Sequence, residues 1–354
     1  MAGSTPAVAR SHSLRRHAIQ AAVSLAVVLS IFVFVLPRVA SYGDVWTAIR
    51  SMTAIEVATL VLAALWNLAT YWFVLVAVLP GLRLPQAAVV NQASTAIANT
   101  VPGGGALGVG VTYAIYTSWG FDKAAIALSV LVSGIWNNFA KLGFPIIALA
   151  ILAVEGNAET TLIIASLFGV ATLVAVIVGF GLVLRSDRLA RAVGKLVERA
   201  ASWVGGLLRR PPVSGVEEAA ARFRRRAVGL LHRRWPSLTA ATLVSHASLY
   251  LVLLVALRHV GVSQADVGWE QVLAAFAFVR LISALPITPG GMAVVELGLV
   301  AALAVGVDAG VRDEIVAAVL VFRFLTFFMP VPLGAAAYVV WRRNKSWRRE
   351  PAPG

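Results

Sequence analysis

The sequence predicts an all-α fold: a polytopic bundle of membrane helices with two helical hairpins broken by proline and glycine. Three observations predict it. The 354 residues are 59% hydrophobic and only 13% charged, where an ordinary soluble domain carries about 25% charged residues. Apolar runs long enough to cross a bilayer, which takes about 20 residues, recur along the chain. Two apolar stretches are interrupted, one at Val101-Pro102-Gly103-Gly104-Gly105 and one at Pro286-Ile287-Thr288-Pro289-Gly290-Gly291. Proline removes a backbone donor and glycine frees the chain to turn sharply. Lipid cannot satisfy the peptide groups so released, so such breaks belong inside protein or beside a wet cavity. Paired breaks in the two halves point to a transporter-like binding site and to a possible inverted repeat.

The elements follow in order. The first apolar run, 17–37, comes after Arg15, Arg16 and His17. It exceeds a signal-peptide core and no small-x-small cleavage site follows, so it reads as an uncleaved first helix. Further full spans are expected at 53–79, 123–153, 160–184, 237–258 and 312–341. The broken regions, 86–118 and 270–307, are each long enough for two half-helices. Charge orients these spans. Residues 185–236 hold 13 Arg/Lys against 4 Asp/Glu, and the tail from Arg342 holds 5 against Glu350 alone. With Arg10, Arg15 and Arg16, segments 1–16, 185–236 and 342–354 are expected on the cytoplasmic side of a single integral membrane domain, 1–354. The acidic loops 155–159 and 308–314 fit the outer side. A single crossing by 86–118 would place the basic 185–236 loop outside. A re-entrant hairpin and two short full crossings both avoid this, and the same holds for 270–307.

Within the basic loop, 187–208 places Leu189, Val193, Leu196, Ala200, Val204 and Leu207 on one helical stripe. Arg188, Arg191, Lys195 and Arg199 lie on another. This is the pattern of a helix lying in the membrane plane against anionic headgroups, ended by Pro211-Pro212. A second basic stretch, Arg222 to Arg234, leads to the next span. The net charge of +14 sits in flanks and loops between spans, which concerns topology and not nucleic acid. With no cysteine and five histidines in no HExxH-like pattern, thiol chemistry, disulfides and common metal sites are excluded. No cofactor is expected. Gly103-Gly104-Gly105 lacks a following Gly-Lys-Ser/Thr, so it is no P-loop.

Ionisable residues at membrane depth are costly and mark function. Four stand out: Lys141, one turn after Asn137 and Asn138; Arg280; Glu296; and Arg323. Three cations against one anion suit an anionic group. Glu296 is expected to pair with Arg280 or Arg323, and a lock between hairpin and last helix is the plainer reading of that pair. Lys141 could instead snorkel to an interface. Asn91, Thr95 and Asn99 share a face at i, i+4 and i+8, suited to a headgroup or to interhelical hydrogen bonds. The Gly103, Gly104 and Gly105 backbone would offer bare N–H groups at the next helix start, an anion site suited to a phosphate or phosphodiester. Pro289, Gly290 and Gly291 form the matching break. His246 reads as a packing residue, and Trp46, Trp119, Trp235 and Trp341 as interfacial anchors.

At these residues the chain resembles the flippase-like family, also known as the lysylphosphatidylglycerol synthase transmembrane region. The resemblance rests on VPGGGALGVGVTY, on LPITPGGMAVVELGL, and on Arg323 in VFRFLTFFMPVPLGAAAYVV. It covers roughly 18–341. Pro-x-Thr-Pro-Gly-Gly followed five residues later by Glu is its most specific part. Family versions often carry a Gly-Glu pair and an Arg after the first break, where this chain has Leu107, Gly108 and Val109. Some members join such a membrane region to a soluble domain that makes lysyl- or alanyl-phosphatidylglycerol, with flipping assigned to the membrane part. This chain looks like the membrane part alone, so synthase activity is not implied. Other members are fused to or sit near glycosyltransferases, which implies a glycolipid substrate or a lipid- or glycan-modifying enzyme as partner.

The expectation is a flippase or lipid transporter of the bacterial cytoplasmic membrane acting on a polar or anionic headgroup. Without an ATPase motif, movement would be passive or coupled to an ion or proton. A membrane-embedded lipid-modifying transferase is one alternative, although the spans offer one clear Glu and no Asp partner. A non-catalytic partner of a membrane enzyme, docking through the basic loop, is the other.

Overall fold

The computed structural model describes residues 43, 46–47, 50–100, 104–154, 160–207, 214–283, 291–292 and 294–348. The expected first span, 17–37, the 101–103 and 284–290 parts of the two breaks, the 155–159 loop and Pro211-Pro212 lie outside the described residues. No strand occurs among the described residues. Helix α1 covers Ala54–Val78, α2 Leu84–Thr100, α3 Gly104–Ser118, α4 Lys123–Val154, α5 Thr160–Arg185 and α6 Asp187–Leu207. Then come α7 Val216–Val260, α8 Trp269–Ile282, α9 Val294–Leu303, α10 Ala309–Arg323, a π turn at Phe324–Phe328 and α11 Pro330–Arg343. Five described segments are long and apolar enough to cross a membrane: α1, α4, the Leu167–Arg185 part of α5, α7, and α10 through α11. The protein is a multi-pass helical membrane protein.

Local chemistry sets several helix starts. Thr53 and Glu56 form a reciprocal capping box at α1: Glu56 Oε2 accepts the Thr53 N–H at 2.7 Å, and Thr53 Oγ1 accepts the Glu56 N–H at 3.3 Å. Asp122 Oδ2 accepts the N–H groups of Ala124 and Ala125 at the start of α4. Those bonds, the Ala125 one foremost, hold its carboxyl below the usual range despite some burial, with Arg226 beside it adding to the effect. Gly120, with φ 77°, turns the chain between α3 and α4 in a conformation that glycine adopts freely.

One element departs from expectation. The span expected at 237–258 is the second half of a continuous helix that begins at Val216. Its 45 residues reach about 68 Å at 1.5 Å per residue, against a hydrocarbon core of about 30 Å. The basic stretch Arg222–Arg234 is therefore its first half. Arg, Ala and Leu are strong helix formers, and Pro236 inside the helix withholds only the N–H that would bond the His232 carbonyl.

The described residues divide into two compact units. One gathers those within 1–69, 85–120 and 247–354, and the other 70–84 and 121–246. Helices α1 and α7 contribute residues to both. In the second unit, Val74, Val78, Val132, Ala227, Leu231 and Leu238 form a buried core, with Trp136 and Phe180 packed against it. Helix α6 lies against the start of α7, where a Cβ on Gly194 would come within 2.8 Å of the Glu217 Cα. Leu189, Val193 and Leu196 on its apolar stripe remain exposed, as an in-plane helix requires. His246 packs against Phe144, its Nδ1–H donating to the Thr242 carbonyl at 3.0 Å. Of the expected interfacial tryptophans, Trp119, in the first unit, is instead buried between Tyr116 and Trp347.

Candidate functional site

The site lies in the first unit, where each broken region supplies two helices, α2 with α3 and α8 with α9. In the first, Gly108 of α3 sits on the Ser94 carbonyl of α2, where a Cβ would stand at 2.9 Å, and Gly104 lies on the Ile97 and Ala98 carbonyls. Bare glycine backbones let the two helices touch. On another side of α2, Gly334 of α11 rests on the Gln92 carbonyl and Ala96. In the second, Gly298 of α9 faces Val279 of α8, with 3.0 Å from its Cβ position to Val279 Cγ2. Gly291 precedes α9 with φ 69°, a conformation costly for other residues.

Glu296 occupies the first turn of α9 and Arg323 the last position of α10. The place of Glu296 suits its charge, since a helix N-terminus favours an anion. Arg323 Nε donates to Glu296 Oε1 at 2.7 Å, with side-chain exposures of 9% and 7%. Of the two partners open to Glu296, the fold selects Arg323. The Arg323 guanidinium also lies 4.6 Å above the Phe327 ring, a cation–π contact. Glu296 Oε2 is buried with no hydrogen-bond partner among the described residues, as is Gln92 Oε1.

Directly after Arg323 the helix widens into the π turn, where the Met329 N–H reaches back to the Phe324 carbonyl at 2.8 Å. Pro330 and Pro332 withhold the N–H groups that would bond the Thr326 and Phe328 carbonyls, so the regular ladder cannot continue here. Asn99, on the last turn of α2, donates from Nδ2 to the Phe327 carbonyl at 3.0 Å. The last turn of α2 is thereby joined to the π turn that follows Arg323.

The structure pairs Glu296 with Arg323 and ties Asn99 to the backbone of the turn that follows Arg323. Asn91 and Thr95 lie on the same α2 face, both half-buried, and the Asn91 carbonyl accepts from Ser94 Oγ at 3.1 Å. Gly104 is buried by its packing role, while Gly105 is exposed with open space where a Cβ would stand. Arg280 is half-buried in the last turn of α8. Gly103, Pro289 and Gly290 lie outside the described residues. Asn137 and Lys141 belong to the second unit, half-buried on α4. With Arg323 matched by Glu296, this pair carries no net charge, so a zwitterion could pair with both groups without a change in buried charge, whereas an anion would add one. Sequence reasoning missed the π turn, for which Pro330 and Pro332 were the available signal, and the Asn99 link, for which there was none.

The sequence model of the family described as Lysylphosphatidylglycerol synthase TM region matches residues 21–334. Among curated proteins, none matches the chain.

Proposed function

Because the chain belongs to the lysylphosphatidylglycerol synthase TM region family, we propose that it moves a lipid with a polar or anionic headgroup across the bacterial cytoplasmic membrane, with both termini on the cytoplasmic side. The observation that carries this reading is the buried Glu296–Arg323 pair, placed before a π turn that Asn99 ties to the last turn of α2. Buried ion pairs are a poor source of stability, and an apolar pair of similar volume serves as well or better. A polar pair kept at this place is therefore read as a transient headgroup site. A phosphate would take the Arg323 guanidinium, which binds such oxyanions in a fork. Glu296 would then accept a proton or the amine of an aminoacylated headgroup. π turns of this kind occur frequently at functional sites.

On this reading the protein is a transporter and not an enzyme. Its ligands are membrane lipids, namely aminoacyl-phosphatidylglycerol, another phospholipid or a glycolipid, and a lipid- or glycan-modifying enzyme is its natural neighbour. Vesicles bearing the protein and inner-leaflet phosphatidylglycerol labelled on its headgroup test it, with neutral lipids as controls. Added quencher should reach more label than in empty vesicles. Quenching equal to empty vesicles for every lipid, with folded protein present, would overturn the reading.

A further inference from the structure

A separate feature lies wholly within the second unit. Helices α4, α5 and α7 enclose a cleft of about 850 Å³, open on one side and lined mainly by apolar and aromatic groups. Its lining runs from Leu173 to Arg185 on α5, a rise of about 18 Å. That is close to one leaflet of a hydrocarbon core about 30 Å thick. The cleft is asymmetric along this length. At one end Ile147, Leu173 and Leu243 offer only hydrocarbon. At the other end stand Arg185, Arg224 and His232. Arg224 Nη2 donates to the Arg185 carbonyl at 3.1 Å, which brings the Arg224 guanidinium to the end of α5. The Arg224 guanidinium also lies 3.7 Å from Asp187. Neither the Arg185 guanidinium nor the His232 ring has a side-chain partner among the described residues.

Between the two ends, Trp136, Phe139 and Phe180 meet edge-on or tilted with centroids 5.6 to 6.1 Å apart. Trp136 Nε1–H is satisfied by Thr239 Oγ1 at 2.9 Å, so the wall presents hydrocarbon. Trp235 is 55% exposed beside the basic end, where an indole anchors at the headgroup level. The form is that of an amphiphile: a slot one leaflet deep, with cationic donors at its mouth.

We propose that this cleft is a resident binding site for an anionic diacyl phospholipid, with one acyl chain between α4, α5 and α7 and the phosphate on Arg185 and Arg224. The occupant is a lipid of the leaflet bordering the basic segment 185–236. None of the cleft residues belongs to the Glu296–Arg323 cluster, and the assignment does not depend on the transport reading.

Two variants of the full chain separate the ends of the site. Gly181 lines the cleft and has open space where a Cβ would stand, so Gly181→Leu fills the slot without a clash at the backbone. Arg185→Gln combined with His232→Gln strips the mouth to Arg224, which also faces Asp187. Native mass spectrometry of the protein in mild detergent, with phosphatidylglycerol, phosphatidylcholine or inorganic phosphate added, reads retention directly. Melting in the same detergent confirms that each variant is folded. The expected result is one phosphatidylglycerol held in preference to phosphatidylcholine and no retained inorganic phosphate. Either variant should weaken that retention about tenfold, the loss of roughly one charge-assisted contact or its equivalent. Lys195→Gln, an exposed basic residue that does not line the cleft, should leave it unchanged. Equal retention of both lipids, retention of phosphate alone, or loss through Lys195→Gln with Gly181→Leu unaffected would each overturn the assignment.

Discussion

Removing one partner of the Glu296–Arg323 pair exposes the energetics on which the account rests. In Arg323→Met, Glu296 Oε1 loses its 2.7 Å donor while its side chain stays only 7% exposed. Oε2 has no partner among the described residues to compensate. An uncompensated buried charge costs about 3–5 kcal/mol. Loss of the contact over Phe327 adds about 0.5–2 kcal/mol. Glu296→Leu strands the arginine in the same way, again at about 3–5 kcal/mol. The combined variant Glu296→Leu/Arg323→Met strands neither. Two apolar side chains of similar volume in place of a buried pair are neutral or stabilising in many proteins, so this variant should lie within about 1–2 kcal/mol of wild type. The assay is a double-mutant cycle on unfolding in mild detergent. The double variant should fall short of the summed single losses by at least about 4 kcal/mol. Additive losses, or a single variant as stable as wild type, would refute the claim that this is a desolvated pair.

Four further variants probe the same unit and the start of α4. Gly334→Ala drives a Cβ into the Gln92 carbonyl and Ala96 and should cost about 1–3 kcal/mol. Gly105→Ala, where that space is open, should leave the melting temperature unchanged or raise it. Asn99→Leu deletes the donor to the Phe327 carbonyl, at about 0.5–1.5 kcal/mol, and hydrogen exchange at Phe328, Met329 and Val331 should accelerate more than at α4 amides. Asp122→Ala removes the cap of α4 and should cost about 1 kcal/mol. Because its bonds to the helix N–H groups lower the Asp122 pKa, the cap's contribution is present above the unfolded value of about 3.9. It fades as pH falls through the lower folded value. A wild-type advantage over Asp122→Ala that grew on acidification below pH 4 would reverse that sign.

Much of the fold was legible because a bilayer imposes length. Each described span coincides with an apolar run, and Asp187–Leu207 was visible in its two stripes. The α7 helix was misjudged at its start because hydropathy ends where the arginines begin, whereas helix formation does not. The site was half legible. Glu296 and Arg323 stand out as charges in apolar sequence, but their pairing depends on how α9 returns into α10, which composition does not encode. The Asn99 link and the cleft of the second unit arise from helices distant in sequence. The glycines that permit close approach at Gly108 and Gly334 look no different in sequence from Gly181, which has open space around it.

The most direct test of the central claim is lipid movement by the charge-free pair variant, Glu296→Leu/Arg323→Met, once its melting shows it folded. Vesicles carrying wild type should expose headgroup-labelled phosphatidylglycerol to quencher, and vesicles carrying this variant should match protein-free ones. Wild-type movement by the folded variant would contradict the account, because the pair would then be a lock between helices and not a stage on the lipid's path.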